Sequence, residues 1–182
     1  MEGASNIVLV GPMGAGKSVV GALLAHRLGL GFADVDAEVE AAAGATIAEL
    51  FRREGEPAFR AREAGALARC LAADGRVVAT GGGAVLAAGN RRCMRERGLV
   101  AWLQAAPEVQ LRRLEGCGDR PLLEGGDRLA RLRALAEVRD PLYREVADIA
   151  VDTAALDAGA VADALADRSA GRWRLPAAGL AS

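Results

Sequence analysis

One eight-residue segment constrains the fold of this chain more than any other. Residues 11–18 read Gly-Pro-Met-Gly-Ala-Gly-Lys-Ser and match the pattern G-x-x-x-x-G-K-[ST] at every fixed position. The apolar run 6–10 before this segment predicts a strand, and the pattern over 17–28 predicts a helix. A strand, a glycine-rich turn and a helix in this order are typical of a loop whose backbone N–H groups surround phosphates, so we expect an α/β fold.

The residues of this loop predict separate roles at a bound nucleotide. Gly14 and Gly16 let the backbone approach the phosphates closely, and the helix N-terminus adds a partial positive charge. Lys17 would neutralise the β- and γ-phosphates of ATP or GTP, and the Ser18 hydroxyl would bind Mg²⁺. Lys17 is the only lysine among 23 basic residues, which indicates that this position requires a compact ammonium.

Four further apolar runs predict strands, with helical patterns between them. The predicted strands are 6–10, 31–35, 76–80, 99–103 and 148–152, and the predicted helices are 17–28, 47–54, 57–73, 107–115 and 127–146. The strands show no sustained alternation of polar and apolar residues, which is typical of a sheet covered on both faces. We therefore expect a three-layer α/β/α domain with a five-stranded parallel sheet.

Length, charge and cysteine spacing narrow the class of protein. The 182 residues fit one domain over 1–168, and the formal net charge of −1 disfavours nucleic acid or an anionic membrane as a partner. There is no apolar run of about 20 residues and no basic start typical of a signal peptide, so we expect a cytoplasmic protein without a membrane span. Cys70, Cys93 and Cys117 lack the spacing of a disulfide framework or a structural zinc site.

Two other segments are predicted to be irregular. Residues 116–127 are polar and glycine-rich and are long for a connection, so we expect a mobile lid there. We expect residues 169–182 to be a flexible tail.

Two carboxylates close the second predicted strand. Asp34 and Asp36 are two apart, so they would share a face at the carboxyl end of this strand, where parallel sheets form their ligand crevice. One carboxylate would serve Mg²⁺ through its water shell, and the other would hold and deprotonate a hydroxyl. An aspartate that merely caps the following helix remains the alternative.

Three further features indicate an acceptor that is itself an anion. Arg60 and Glu63 are three apart on a predicted helix, so the acid would orient the guanidinium, unless the two form an ordinary surface ion pair. The strand 76–80 ends in three glycines, which indicates close approach of backbone N–H groups to a ligand. Arg139 is in phase with an apolar helix stripe, so it would bind an anion there unless Asp140 pairs with it locally and Pro141 kinks the helix. Paired arginines and carboxylates suggest a small acceptor with a carboxylate and hydroxyls.

The order of these motifs resembles that of the shikimate kinase family. The matching motifs, between residues 7 and 161, are GxxGxGKS, DVD, FRxxE, TGGG, RPLL and RDPLY. The resemblance implies a fold of the P-loop NTPase class, similar to that of the nucleoside monophosphate kinases. It further implies transfer of the ATP γ-phosphoryl group to the 3-hydroxyl of shikimate, with Mg²⁺ as cofactor. It also implies that ATP and shikimate are the small-molecule partners, and we expect a monomer.

The resemblance implies roles for individual residues. Those expected at shikimate are Asp36, Arg60, Glu63, Gly81, Gly82, Gly83 and Arg139, with both arginines at the carboxylate and Asp36 as the candidate base. Those expected at ATP are Gly14, Ala15, Gly16, Lys17, Ser18, Val19, Arg113 and Arg120. Ser18 and Asp34 would support the metal, Arg113 resembles a residue that stacks on adenine, and Arg120 resembles a lid arginine that covers the transferring phosphate.

The segment after the last predicted strand departs from the family pattern. Family members commonly carry arginines after the last strand, whereas residues 151–159 read VDTAALDAG here. We therefore expect adenine contacts from the backbone and Arg113, and weaker or less selective nucleotide binding.

Two other kinase classes remain as alternatives, because a gluconate-type or nucleoside monophosphate kinase shares the architecture. The DVD and TGGG motifs argue against the first, and the few aromatics, 3 Phe, 2 Trp and 1 Tyr, argue against the second.

A catalytically silent P-loop module is the other alternative. The complete set of charged residues that a kinase of this kind needs argues against it, and these are Lys17, Asp36, Arg60, Arg120 and Arg139. We expect His26 to lie on the surface and Tyr143 to lie in the core.

Overall fold

A five-stranded parallel sheet forms the centre of the computed structural model, which describes residues 5–115 and 127–172. The strand order is β2–β3–β1–β4–β5, and every neighbouring pair is parallel. The strands are β1 (Asn6–Val10), β2 (Gly31–Asp34), β3 (Arg76–Ala79), β4 (Gly98–Gln104) and β5 (Ile149–Asp152). The helices are α1 (Lys17–Leu28), α2 (Val35–Ala43), α3 (Ile47–Ala72), α4 (Ala88–Arg97), α5 (Pro107–Arg113), α6 (Arg128–Val146) and α7 (Ala158–Ser169), and a 3₁₀ turn covers Ala84–Leu86.

The central strand β1 contributes to an apolar core on each face of the sheet. Val8 and Val10 belong to the core that contains residues of α2, α3, α4 and α6. Ile7 and Leu9 belong to the opposite core, with residues of α1 and α7. Each such buried side chain contributes about 1.5–3 kcal/mol to folding. The three-layer α/β/α fold with five parallel strands is therefore confirmed, and burial on both faces explains why β1 shows no alternation.

One local prediction, the shared strand face of Asp34 and Asp36, is wrong. Strand β2 ends at Asp34, and Asp36 lies in the first turn of α2. The Asp34 carboxylate caps this helix, because its Oδ1 accepts hydrogen bonds from the backbone N–H groups of Asp36 at 3.0 Å and Ala37 at 3.4 Å. The capping alternative for Asp34 therefore holds, and the two carboxylates are separated by the junction between strand and helix.

The helices differ from the predictions in number more than in position. Helix α3 is interrupted at Gly55, with φ 80° and ψ 171°, between the predicted helices 47–54 and 57–73. Helices α2, α4 and α7 were not predicted. None of the helices in the described ranges is long and apolar enough to cross a membrane. Most of the predicted lid, including Cys117 and Arg120, and the end of the chain from residue 173 lie outside the described residues.

Candidate functional site

The loop between β1 and α1 holds its lysine in place through backbone carbonyls. Gly14 and Gly16 have φ values of 76° and 88°, in the left-handed region that favours glycine. Lys17 is buried, and its Nζ donates hydrogen bonds of 2.8 Å to the carbonyls of Gly11 and Pro12. The ammonium is thereby held against the backbone of the loop that is expected to surround phosphates.

The hydroxyl that follows this lysine contacts the second strand. Ser18 Oγ donates a 2.5 Å hydrogen bond to Asp34 Oδ2, and the other oxygen of this carboxylate caps α2. Two hard oxygen donors thus lie side by side next to the phosphate loop. Mg²⁺ in nucleotide sites is held by one or two protein oxygens, with phosphate and water completing its shell, so this pair fits the ion. In the described part of the chain no group of three or more His, Cys, Asp or Glu forms a separate metal cage.

The three glycines after β3 each lie against a different charged or polar group. A β-carbon on Gly81 would lie 2.5 Å from Glu63 Oε1 and 2.7 Å from Asp36 Oδ1. A β-carbon on Gly82 would lie 3.4 Å from Met13 N and 3.6 Å from a terminal nitrogen of Arg139. On Gly83 it would overlap with the guanidinium of Arg60. Gly81 therefore makes room for two carboxylates and Gly83 for the Arg60 guanidinium, whereas a β-carbon on Gly82 would make ordinary contacts. We call Gly81 to Gly83 the glycine run.

Arg60 is held in one orientation by acids and aromatic rings. Its Nη1 donates to Glu63 Oε2 at 2.8 Å, and its Nη2 donates to Glu56 Oε1 at 2.9 Å. The guanidinium carbon lies 5.2 Å from the centroid of the Phe59 ring and 6.0 Å from that of Phe51. Both the acid and the cation–π contacts orient the guanidinium. Glu63 is only 1% exposed, so the surface ion pair considered from the sequence is wrong for Arg60 and Glu63.

Glu63 is a buried carboxylate with an incomplete set of partners. Its Oε1 has no hydrogen-bond partner in the described ranges, and this atom lies toward Gly81. Burial raises the pKa of Glu63, and the charge of Arg60 lowers it by less. Asp36 also contributes to the raised pKa, since its negative charge lies nearby. The two carboxyl groups beside Gly81, those of Glu63 and Asp36, therefore have different environments.

Arg139 lies on α6, and its guanidinium approaches the glycine run at Gly82. It is buried at 5% exposure, in phase with the buried residues Leu132 and Tyr143, as the helix pattern predicts. Tyr143 is a core residue, as expected, and its hydroxyl donates a 2.5 Å hydrogen bond to the Gly82 carbonyl. A small cavity next to Arg139 is lined by apolar and polar residues of the phosphate loop, α5 and α6, including Pro12, Met13, Gln110 and Tyr143.

Arg113 connects the phosphate loop to the segment after β5. Its Nη1 donates to the Gly14 carbonyl at 3.1 Å and to Thr153 Oγ1 at 2.9 Å, and its Nη2 donates to the Thr153 carbonyl. Thr153 in turn donates to the Gln104 carbonyl at the end of β4. Sequence reasoning assigned Arg113 to the nucleotide and missed Thr153, because nothing in a single threonine indicates a contact 40 residues away.

The structure thus brings together most of the residues predicted from the sequence. The phosphate loop, Asp34, Asp36, Arg60, Glu63, the glycine run and Arg139 lie at the carboxyl ends of β1, β2 and β3. Ala15 is buried, and Val19 is 60% exposed on the first turn of α1. His26 is exposed, as expected. Arg120 lies outside the described residues. Glu56, Phe51 and the hydroxyl of Tyr143 were missed, and only the i+4 spacing of Tyr143 from Arg139 gave a signal.

Comparisons with known proteins agree on one family. The family model described as "Shikimate kinase" matches residues 13–169. A protein of Symbiobacterium thermophilum named "Shikimate kinase" is 54% identical over 150 residues, which are 81% of this chain and 86% of that protein. The solved structure of shikimate kinase from Acinetobacter baumannii in complex with shikimate has a TM-score of 0.87 and 44% identity, and the match covers 89% of this chain and 90% of that chain.

A likeness to another kinase is confined to the fold. The crystal structure of a gluconokinase from Sinorhizobium meliloti 1021 has a TM-score of 0.58 and 20% identity, covering 92% of this chain and 97% of that chain. At this identity only the architecture is shared. The gluconate-type alternative therefore has support from the fold and none from the residues of the site.

Proposed function

Because the chain belongs to the shikimate kinase family, we propose that the residues around its glycine run bind and orient shikimate. The chain is an ATP-dependent kinase that transfers the γ-phosphoryl group of ATP to the 3-hydroxyl of shikimate, giving shikimate 3-phosphate and ADP. The observation that carries the residue roles is the position of the glycine run. It contacts the phosphate loop on one side and Asp36, Arg60 and Arg139 on the others.

The carboxylate of shikimate lies between the two arginines in this proposal. Arg60 already has one terminal nitrogen on Glu63 and another on Glu56, so its orientation exists before substrate arrives. Arg139 is buried on an apolar helix face, where an incoming carboxylate would offset the cost of its desolvation. Charge-assisted pairs between guanidinium and carboxylate contribute more than neutral hydrogen bonds, and they fix the ring in one pose.

Asp36 is proposed as the group that holds the accepting hydroxyl. The bond that forms joins this hydroxyl oxygen to the γ-phosphorus, and the bond that breaks joins the γ-phosphorus to the bridging oxygen of ADP. The hydroxyl proton passes to an Asp36 carboxylate oxygen. Asp36 Oδ1 lies close to the site of a Gly81 β-carbon, which supports its position beside the glycine run.

Lys17, Ser18 and Asp34 are proposed to serve the phosphates. Lys17 would turn from the carbonyls of Gly11 and Pro12 to the β- and γ-phosphates, where it neutralises charge that builds up during transfer. Ser18 and Asp34 would hold Mg²⁺, which when bound neutralises phosphate charge and orients the γ-phosphoryl group. Gly14, Ala15, Gly16 and Val19 complete the loop around the phosphates.

The remaining assignments rest on the family resemblance. Arg120 is proposed to cover the transferring phosphoryl group, where an arginine of this kind contributes about 10³–10⁵ in rate. Arg113 is proposed to contact adenine with its face while its edge stays bonded to Gly14 and Thr153. We also propose a cytoplasmic monomer, which light scattering on the purified chain and fractionation of cells would test.

ADP release coupled to NADH oxidation tests these proposals as a set. Wild-type chain receives ATP and Mg²⁺ with shikimate, with gluconate, with nucleoside monophosphates or with no acceptor. Shikimate alone is expected to stimulate ADP release. Asp36→Asn keeps the side-chain size and removes the base, so we expect kcat to fall by about 10²–10⁴ while ATP binding is retained. Turnover at the wild-type rate would contradict the role of Asp36.

A further inference from the structure

We propose that Tyr143 is a positioning residue that fixes the Gly82–Gly83 peptide beside the Arg139 guanidinium, at the shikimate carboxylate. This inference rests on the proposed function, because it concerns how that carboxylate site is built. Tyr143 stands four residues after Arg139, one helical turn further along α6. The Tyr143 side chain touches the site through its hydroxyl and lies otherwise in the core.

The hydroxyl of Tyr143 bonds directly to the glycine run. It donates to the Gly82 carbonyl at 2.5 Å, across 61 residues of sequence. A peptide unit is planar and trans, so its carbonyl and the next N–H point in opposite directions. With the Gly82 carbonyl fixed toward Tyr143, the Gly83 N–H is fixed in the direction away from it. Glycine has wide conformational freedom, and a run of three therefore needs an external contact to hold one peptide orientation.

The Gly82 peptide that Tyr143 bonds lies next to Arg139. A β-carbon on Gly82 would lie 3.6 Å from a terminal nitrogen of Arg139. Arg139 and Tyr143 are both buried and one turn apart on α6. The Tyr143 hydroxyl thus holds the backbone of the glycine run beside the arginine that faces it, and both groups are proposed to receive the same carboxylate.

The surroundings of Tyr143 keep its hydroxyl protonated and in place. The residue is 1% exposed, and its ring centroid lies 5.8 Å from that of Trp102. Burial raises the pKa of the phenol, and the negative charge of Asp140 raises it further. The nearby positive charges of Arg139 and Arg60 lower it by less than burial raises it. The phenol therefore remains a hydrogen-bond donor to Gly82 at the pH values where the enzyme works.

Tyr143→Phe removes this hydroxyl and retains the ring. Losing the hydrogen bond that orients the Gly82–Gly83 peptide is expected to raise the Kd of shikimate, measured by calorimetry without nucleotide, by about five- to tenfold. The KM for shikimate is expected to rise by the same factor, and the KM for ATP to stay at its wild-type value. An unchanged shikimate Kd in Tyr143→Phe, or an equal rise in the KM of both substrates, would overturn the inference.

Ser169→Ala is a matched control at the far end of the fold. Ser169 is buried, and its Oγ donates a 3.0 Å hydrogen bond to the Ala166 carbonyl at the end of α7. Both variants remove one buried hydroxyl that bonds a backbone carbonyl, so they are expected to lower Tm by similar amounts. Only Tyr143→Phe is expected to change shikimate binding. A similar change in Ser169→Ala would indicate a general loss of stability and overturn the specific role of Tyr143.

A measurement without any substitution gives a second test. Tyr143 is the only tyrosine in the chain, so growth with 3-fluorotyrosine places a single ¹⁹F label at this position. Shikimate is expected to shift the resonance at saturation, and ADP with Mg²⁺ is expected to leave it in place. If saturating shikimate leaves the resonance in place, the inference is overturned and the proposed function still stands. If the wild-type chain shows no ADP release with shikimate, the proposed function fails, and the inference that rests on it fails too.

Discussion

Gly83 and Arg60 are packed so closely that a β-carbon on the glycine would overlap with both terminal guanidinium nitrogens. The backbone of Gly83 is compatible with any residue, since its φ is −96°. The glycine is therefore required by the position of Arg60 and by nothing in its own conformation. Gly83→Ala tests the placement of this guanidinium without changing a charge.

We predict that Gly83→Ala raises the KM for shikimate by about tenfold to hundredfold, because a displaced guanidinium loses a charge-assisted pair. The KM for ATP is expected to stay unchanged in steady-state ADP-release assays. Gly89→Ala is the control, since a β-carbon on Gly89 meets no atom within 4 Å. Gly89 lies in α4, so its replacement is expected to stabilise the protein slightly and to leave both KM values unchanged. Equal behaviour of the two variants would exclude a role for the Gly83 contact.

A second prediction concerns the link from Arg113 to the phosphate loop. Arg113→Ala removes the hydrogen bonds to Gly14 and Thr153, so the phosphate loop is no longer linked to the segment after β5. We expect the Kd of ATP, measured by calorimetry, to rise by about tenfold, since hydrogen bonds to a charged group contribute about 1.5–3 kcal/mol. Arg112→Ala, at an exposed neighbour on α5, is expected to bind ATP as the wild type does. Weakened shikimate binding in Arg113→Ala would contradict a role confined to the nucleotide.

The contact between Ser18 and Asp34 predicts a change in metal dependence. In Ser18→Ala the hydroxyl that bonds Asp34 at 2.5 Å is lost, and with it one of the two oxygens that fit Mg²⁺. The Mg²⁺ concentration that gives half-maximal ADP release is expected to rise by about tenfold, because losing one ligand weakens a site of few protein ligands. The Kd of shikimate in the absence of nucleotide should not change. A wild-type Mg²⁺ titration curve would show that Ser18 does not serve the metal.

Burial of Glu63 predicts how stability depends on pH. Burial raises the pKa of Glu63 from its ordinary value of 4.5, so between that value and the raised pKa the folded state holds a proton that the unfolded state has released. The free energy of unfolding of the wild type should therefore fall, relative to Glu63→Gln, as the pH rises through this window. Urea unfolding of both proteins from pH 4 to pH 8 measures the difference. A difference that is flat across this range, or that grows with pH, would contradict the raised pKa.

The strands could be predicted from the sequence because their own residues specify them. Apolar, β-branched runs such as 6–10 and 76–80 form buried strands whose ends agree within about one residue. Three helices could not be predicted in the same way. Helix α4 carries a polar sequence in which only Asn90 and Met94 are buried. Helix α2 begins where the strand was expected to continue, and the side chain of Asp34 decides that boundary by capping it.

Most of the residues that meet at the glycine run were predicted from the sequence, and the reasons for their positions were not. The phosphate loop acts through neighbours in sequence, so its motif identifies it. The contacts of Gly81 with Glu63 and Asp36, and of Gly83 with Arg60, join elements that no periodicity relates. The three glycines looked alike in the sequence. In the structure a β-carbon on Gly81 would overlap with the carboxylates of Glu63 and Asp36, and one on Gly83 would overlap with the Arg60 guanidinium. A β-carbon on Gly82 would make only ordinary contacts with the phosphate loop and Arg139.

The pairing of β1 with β3 sets the distance between the phosphate loop and the glycine run. These strands run in register, with Leu9 opposite Ala79, and they lead into the two loops. The loops start one interstrand spacing apart, about 4.8 Å, and meet where Gly82 approaches Met13. In the proposed function, the backbone hydrogen bonds between these strands would therefore set how far the phosphoryl group travels. The side chains on α2, α3 and α6 would select the acceptor, so exchanging them is expected to admit another hydroxyl compound without changing that distance.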